Sequence, residues 1–166
     1  GILEILPNNI LAQVTLRNLR QLNDLEYDDD NVKFAIRIQQ SIENKIPLSS
    51  IREVIDTSGT VGMGSTDVGD VSWVVPTTGF NTACFTPGVP GHSWQAVASG
   101  GTDAAGKGLN LASRVMAATA WDLYHSPKIL AAAKSELQQR LGSQPYKSLM
   151  VPGQKPSLDY REPPVK

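Results

Sequence analysis

Two short stretches hold the residue types from which a reaction could be built. The first is Gly62-Met63-Gly64-Ser65-Thr66-Asp67-Val68-Gly69-Asp70-Val71-Ser72-Trp73, and the second is Pro90-Gly91-His92-Ser93-Trp94-Gln95. In the first, glycines lead into Ser65-Thr66-Asp67 ahead of an expected short helix. Free backbone N–H groups and the positive helix end would receive a carboxylate or another anion there, and the same hydroxyls serve equally as an ordinary helix cap. In the second, a Pro/Gly loop presents His92, an imidazole free to act as a metal ligand or as a hydrogen-bonded surface residue. A hydrolytic metal centre needs three or more nitrogen or oxygen donors and an open position for water. Asp67, Asp70 and His92 reach that number, yet the two aspartates also suit the dipole at the start of a helix. No His-x-Asp, His-x-x-x-His or Glu-Glu pair reinforces them, so the set is incomplete as a self-contained site.

Two further patterns compete. Gly101-Thr102-Asp103-Ala104-Ala105-Gly106-Lys107-Gly108 follows phosphate-loop spacing through its lysine, but Gly108 stands where a magnesium-binding hydroxyl is required. Close approach of a helix is the simpler use of these glycines. Gly91-His92-Ser93-Trp94-Gln95 begins like a serine-hydrolase elbow and fails at Gln95, where that turn needs glycine. His125, the other histidine, falls where it favours the carboxyl end of a long helix.

The elements that must hold these residues read as alternating strands and helices. Ile2 to Leu6 reads as a strand stopped by Pro7. Asn8 or Asn9 then caps a helix with Leu11, Ala12, Leu16, Leu19 and Leu22 on one face, suited to packing on a sheet. Asp28-Asp29-Asp30 opens a second helix with Phe34, Ala35, Ile38 and Ile42 on one side. Arg52 to Asp56 reads as a short strand or an irregular segment. Phe80 to Phe85 reads as a buried strand and Gln95 to Ala98 as another. A long helix over 107–124 follows, with Leu109, Ala112, Met116, Ala120 and Leu123 in one stripe and Leu111, Val115 and Ala118 beside it. Ser126-Pro127 starts a last helix with Leu130, Ala133, Leu137 and Leu141 inward, ended by Gly142. From Ser143 a proline-rich tail reads as an extended arm.

At 166 residues the length suits one core. Fifteen basic and sixteen acidic residues give a net charge of −1, and without a basic run neither nucleic acid nor an anionic membrane surface is an expected partner. Cys84 is the single cysteine, which rules out an internal disulfide and is compatible with a cytoplasmic location. No stretch approaches a membrane span. Gly1 opens on what reads as a strand already under way, as expected of a piece of a longer polypeptide.

Glu4-Ile5-Leu6-Pro7-Asn8, then Gly64 to Trp73, then Pro90 to Gln95, then Leu158-Asp159-Tyr160-Arg161 occur in that order. This series resembles the carboxyl-terminal segment of the two-metal amidohydrolases and aminoacylases, most closely the aminobenzoyl-glutamate utilisation protein B type. Ser65-Thr66-Asp67-Val68 and Gly91 suit that branch better than its broader relatives. The resemblance implies an α/β fold, a partial catalytic domain with helices packed on a mixed sheet. Residues 1–7 would end a lid-domain strand, 8–142 would form the carboxyl-terminal part of the catalytic domain, and 143–166 the tail. It further implies His92 as a metal ligand, and Gly64, Ser65, Thr66 and Asp67 as lining the substrate pocket. Two divalent ions, zinc or manganese, would be held by the complete enzyme, whose catalytic Glu base is not in this chain. The expected partners are the amino-terminal half of the same enzyme, a small-molecule amide substrate and a second copy of the chain. The isolated chain is expected to be inactive. The alternative is a non-catalytic binding or assembly module that retains the fold, with a nucleotide-binding module third.

Overall fold

Asn8 begins the first helix as the sequence requires: its side-chain oxygen accepts from the Leu11 amide at 3.1 Å, opening α1 (Asn9–Leu22). Asp28 does the same for α2 (Asp29–Gln39), accepting from the Asp30 and Asn31 amides. A 3-10 turn (Leu48–Arg52) and the five-residue α3 (Val68–Ser72) follow, and then α4 (Trp94–Gly100), α5 (Asp103–His125) and α6 (Pro127–Leu141). The structure is a computed structural model, and it describes residues 3–62, 64, 66–156, 158 and 161.

α5 is the axis of the arrangement, with α1, α4 and α6 packed against it. Leu111 and Val115 of α5 meet Leu25 and Ile51 in the core, and Leu19, Leu22, Tyr27, Phe80 and Ala83 close around them. α6 fastens α1 from the side. The Asn8 amide donates to the Ala133 carbonyl at 2.9 Å, while the Glu136 carboxylate accepts from the Asn9 and Ile10 amides at 2.9 and 3.0 Å. A carboxylate on free amides at the positive end of a helix is favourable twice over, through hydrogen bonds and through the dipole.

The expected α/β class is overturned: among the described residues there are helices and no strands, so the helices pack on one another instead of on a mixed sheet. Each expected strand fails for a visible reason. A strand exists only through a partner's ladder, and the extended run from Leu3 to Leu6 gives its amides to side chains of α3 instead. In the run from Phe80 to Phe85, the Cys84 amide turns back onto the Thr82 carbonyl at 2.9 Å, a three-residue turn that breaks the pleat. Arg52 belongs to the 3-10 turn, and the Ser58 amide folds back on Asp56. Gln95 to Ala98 is helical: Ser93 caps α4 by accepting from the Ala96 amide, and Gln95, Ala96 and Ser99 bury on one side.

α5 also turns a different face inward than its leading apolar stripe suggested. Leu111 and Val115 are buried, whereas Leu109 and Met116 stand in solvent. The polar residues decide this, because Arg114 pairs with Asp24 and Asp122 with Arg17 and Asn18, which turns that side of the helix toward α1 and its following loop. Gly108 belongs to the packed side as well. A Cβ there would lie 2.6 Å from the Ala83 carbonyl oxygen and 2.9 Å from Cys84 Sγ. No helix of the described residues is long and apolar enough to cross a membrane. The tail after Leu141 has no regular element among its described residues, but Tyr146 ties it down, its hydroxyl donating to Asp70 at 3.0 Å.

Candidate functional site

The stretch from Gly64 to Trp73 divides into two parts with different work. Its second half is a clamp. Asp70 accepts from the Leu3 amide at 3.4 Å, Ser72 Oγ from the Leu6 amide at 2.8 Å, and the Trp73 indole donates to the Glu4 carbonyl at 3.0 Å. Ser72 is fully buried and passes its own proton to the Gly69 carbonyl. Gly69 is obligatory, because a Cβ there would sit 1.9 Å from the Leu3 carbonyl oxygen. Thus Gly69-Asp70-Val71-Ser72-Trp73 holds the extended run 3–6 against α3.

The first half is left facing solvent. Gly64, Thr66 and Asp67 are exposed, and Ser65 lies outside the described residues. Thr66 Oγ1 accepts from the Val68 amide at 3.2 Å, while the Asp67 side chain caps nothing. Between the clamped run and the glycine-rich loop lies a cleft of about 850 Å³, lined by Leu3, Glu4, Ile5 and Pro7 on one side and by 59–62, Gly64 and Thr66 on the other. That size is in the range of small-molecule sites. α3 has five residues, too few for a developed dipole, so the anion site expected at its start is not built by the helix itself.

His92 is exposed on the loop before α4 and takes φ +57°. Few non-glycine residues adopt that left-handed conformation, His being among those enriched there. Ser93 fixes the loop beneath it, its hydroxyl donating to the Pro90 carbonyl at 2.7 Å while capping α4. That engagement also accounts for Ser93, which serves as a cap and not as a nucleophile. His92 does not line the cleft of the glycine loop. Asp67, Asp70 and His92 are not brought together: no group of three His, Cys, Asp or Glu side chains able to hold a metal occurs among the described residues. Asp70 is committed to Leu3 and Tyr146, and the Tyr146 phenol, bonded to that carboxylate, is held above its usual pKa.

The phosphate-loop pattern is a structural joint. Lys107 Nζ lies 2.7 Å from Asp28, 2.8 Å from the Asn31 side chain and 3.2 Å from Asp103. The hydrogen bond to Asp28 above all raises the Lys107 pKa, and the same bond lowers that of Asp28. With its donors directed at these oxygens and Gly108 pressed on Ala83, the segment cradles no phosphate. His125 ends α5 as expected, its Nδ1 2.9 Å from the Trp121 carbonyl and its ring over the Trp121 indole.

Sequence reasoning missed one feature, a charged cleft of about 610 Å³ where Lys107 and Arg114 face the turn from Asp24 to Asp28. Its signal was the seven-residue spacing of the two cations, two helical turns apart on one face. Both are engaged by carboxylates, so the cleft joins α5 to the loop after α1.

The chain is 30% identical over 167 aligned residues to a subunit of the p-aminobenzoyl-glutamate hydrolase of Escherichia coli (strain K12). The match covers 85% of this chain and 35% of that protein, so the chain spans about a third of the length of the curated relative. The resemblance carried by the ordered motifs therefore meets a named relative over most of the chain. No family model matches the chain, and no solved structure matches it.

Proposed function

We propose that the chain is the carboxyl-terminal part of a metal-dependent amidohydrolase that cleaves an amide bond to an amino acid such as glutamate. The observation that carries this reading is the match to the hydrolase subunit over 85% of the chain. The cleft beside Gly64 and Thr66 supports it, since the residues assigned to the substrate pocket face open space instead of the core. In this reading Gly64, Ser65, Thr66 and Asp67 receive the substrate, and their short side chains let it approach the backbone. The rigid clamp from Gly69 to Trp73 keeps that loop in register with the run 3–6.

The residues of this chain do not by themselves fit a two-metal centre. Among those described, no three candidate ligands converge, and Asp70 is already engaged. His92 is the one ligand the chain offers, and the others, with the catalytic base, belong to the amino-terminal half. Zinc or manganese would activate water in the complete enzyme. The relative is named as one subunit of a hydrolase, and assembly with another subunit or a second copy is part of this proposal.

The test is made on the naturally expressed protein. Its intact mass should well exceed 17.9 kDa, and it should carry divalent metal and hydrolyse aminobenzoyl-glutamate. His92→Ala should lower metal occupancy as well as activity. A natural product of this chain's own mass, free of metal and inert toward the amide, would favour the non-catalytic binding or assembly module.

A further inference from the structure

α5 presents a face that solvent does not suit. Leu109, Met116, Trp121 and Tyr124 are 66, 63, 66 and 84% exposed. Leu109, Met116 and Tyr124 follow spacings of seven and eight residues along one side, with Ser113 and Ala120 filling the turns between them. Between Leu109 and Tyr124 the helix has two charged residues, Arg114 and Asp122, and both bond toward α1 and the loop that follows it. A surface helix ordinarily points its charges outward and its apolar stripe inward; α5 has apolar residues on both sides and spends its charges inward. α4 adds Trp94 and Val97, 63 and 79% exposed. The excess is general. The chain exposes 12048 Å², where a compact monomer of its mass exposes on the order of 8,000 Å².

We propose that the exposed face of α5 is a buried interface of the complete protein, and that what covers it is the remainder of the same polypeptide. This rests on the reading of the chain as part of a longer hydrolase. Two observations select that occupant. The relative extends well beyond the matched region, which is 35% of its length, so a large folded mass is available to cover the face. The face is also uncharged, so its occupant must be matched by apolar packing, as within a domain core, and not by salt-sensitive steering.

The experiment is thiol labelling of the full-length natural protein with Met116→Cys or Ser113→Cys introduced singly, the smaller Ser113 change guarding against misfolding. Lys33→Cys on α2, where the side chain is 73% exposed, is the accessible reference. Modified peptides are identified by mass, which separates the native Cys84. Relative to the same variant unfolded in guanidinium, Met116→Cys and Ser113→Cys should react at least about a hundredfold more slowly, and Lys33→Cys within a few-fold. Protection should be independent of protein concentration. Protection that disappears on dilution would assign the face to a second copy and overturn the proposal, as would free reaction at both positions. If the protein is nevertheless large and active on the amide, only this inference fails; a natural mass of 17.9 kDa would remove the hydrolase-fragment reading before any labelling.

Discussion

Replacing Gly69 by Ala tests whether the motif is a clamp. The new Cβ would lie 1.9 Å from the Leu3 carbonyl oxygen and 2.9 Å from its carbon, where real contacts essentially never fall below 3.0 Å. The obstacle is backbone, so the run 3–6 must retreat by about 1 Å or more. That retreat strains three hydrogen bonds at once: Leu3 N–H to Asp70, Leu6 N–H to Ser72 and the Trp73 indole to the Glu4 carbonyl. At roughly 1 kcal/mol each their loss costs about 3 kcal/mol. Alanine in place of glycine inside a helix returns up to about 1 kcal/mol, leaving a net loss of about 2 kcal/mol. In urea, with a slope of about 2 kcal/mol per molar, the midpoint should fall by about 1 M. Unfolding followed by tryptophan fluorescence reads this directly, because Trp73 is itself part of the clamp. Gly64→Ala is the matched control: nothing lies within 4 Å of its added carbon, and its midpoint should move by no more than about 0.5 kcal/mol equivalent. An unchanged midpoint for Gly69→Ala, or equal losses for both variants, would refute the clamp.

Gly108→Ala should destabilise by about 1–3 kcal/mol, because the added carbon meets the Ala83 carbonyl and Cys84; calorimetry showing no loss would deny that contact. Glu136 should make stability fall in acid: burial acts to raise its pKa, but the Ile10 and Asn9 amides and Arg140 outweigh that and hold it below the ordinary 4.5. Its contribution is therefore complete above the unfolded-state pKa and is lost as pH falls through the lower folded value, so Glu136→Gln should flatten the stability profile below about pH 4.5 and leave the neutral-pH fold intact. Lys107→Ala should lower the melting temperature by less in high salt than in low salt, since it removes exposed ion pairs to Asp28 and Asp103. The same variant should not change ATP affinity in titration calorimetry, and an affinity lost with Lys107 would revive the phosphate loop.

Helix boundaries and caps were legible because they depend on neighbours in sequence. Asn8 and Asp28 cap where their side chains reach amides two or three residues on, and Gly142 follows α6 with φ +57°. The strand readings failed because extended conformation is local but a ladder is not: Leu3 to Leu6 is extended and finds side chains in place of a partner. Gln95 to Ala98 was misread because apolar character outweighed the cap at Ser93, which commits the segment to a helix. In the candidate site, the exposure of the Pro/Gly loop around His92 was readable from composition. The division of Gly64 to Trp73 into an open half and a clamp was not, since Asp70 and Ser72 act on residues more than sixty positions away.

By itself, then, the sequence determined where helices start and stop, which residues could carry chemistry and which relative the chain resembles, because each of these is written in local order and residue type. Only the tertiary structure decided which face of α5 is core, that Lys107 is a joint, and that Asp70 is spent on Leu3 and Tyr146. The physical reason is the same in all three: a helix apolar on several sides, a lysine and a carboxylate each have many equivalent uses, and the choice among them is made by long-range partners that no local pattern encodes.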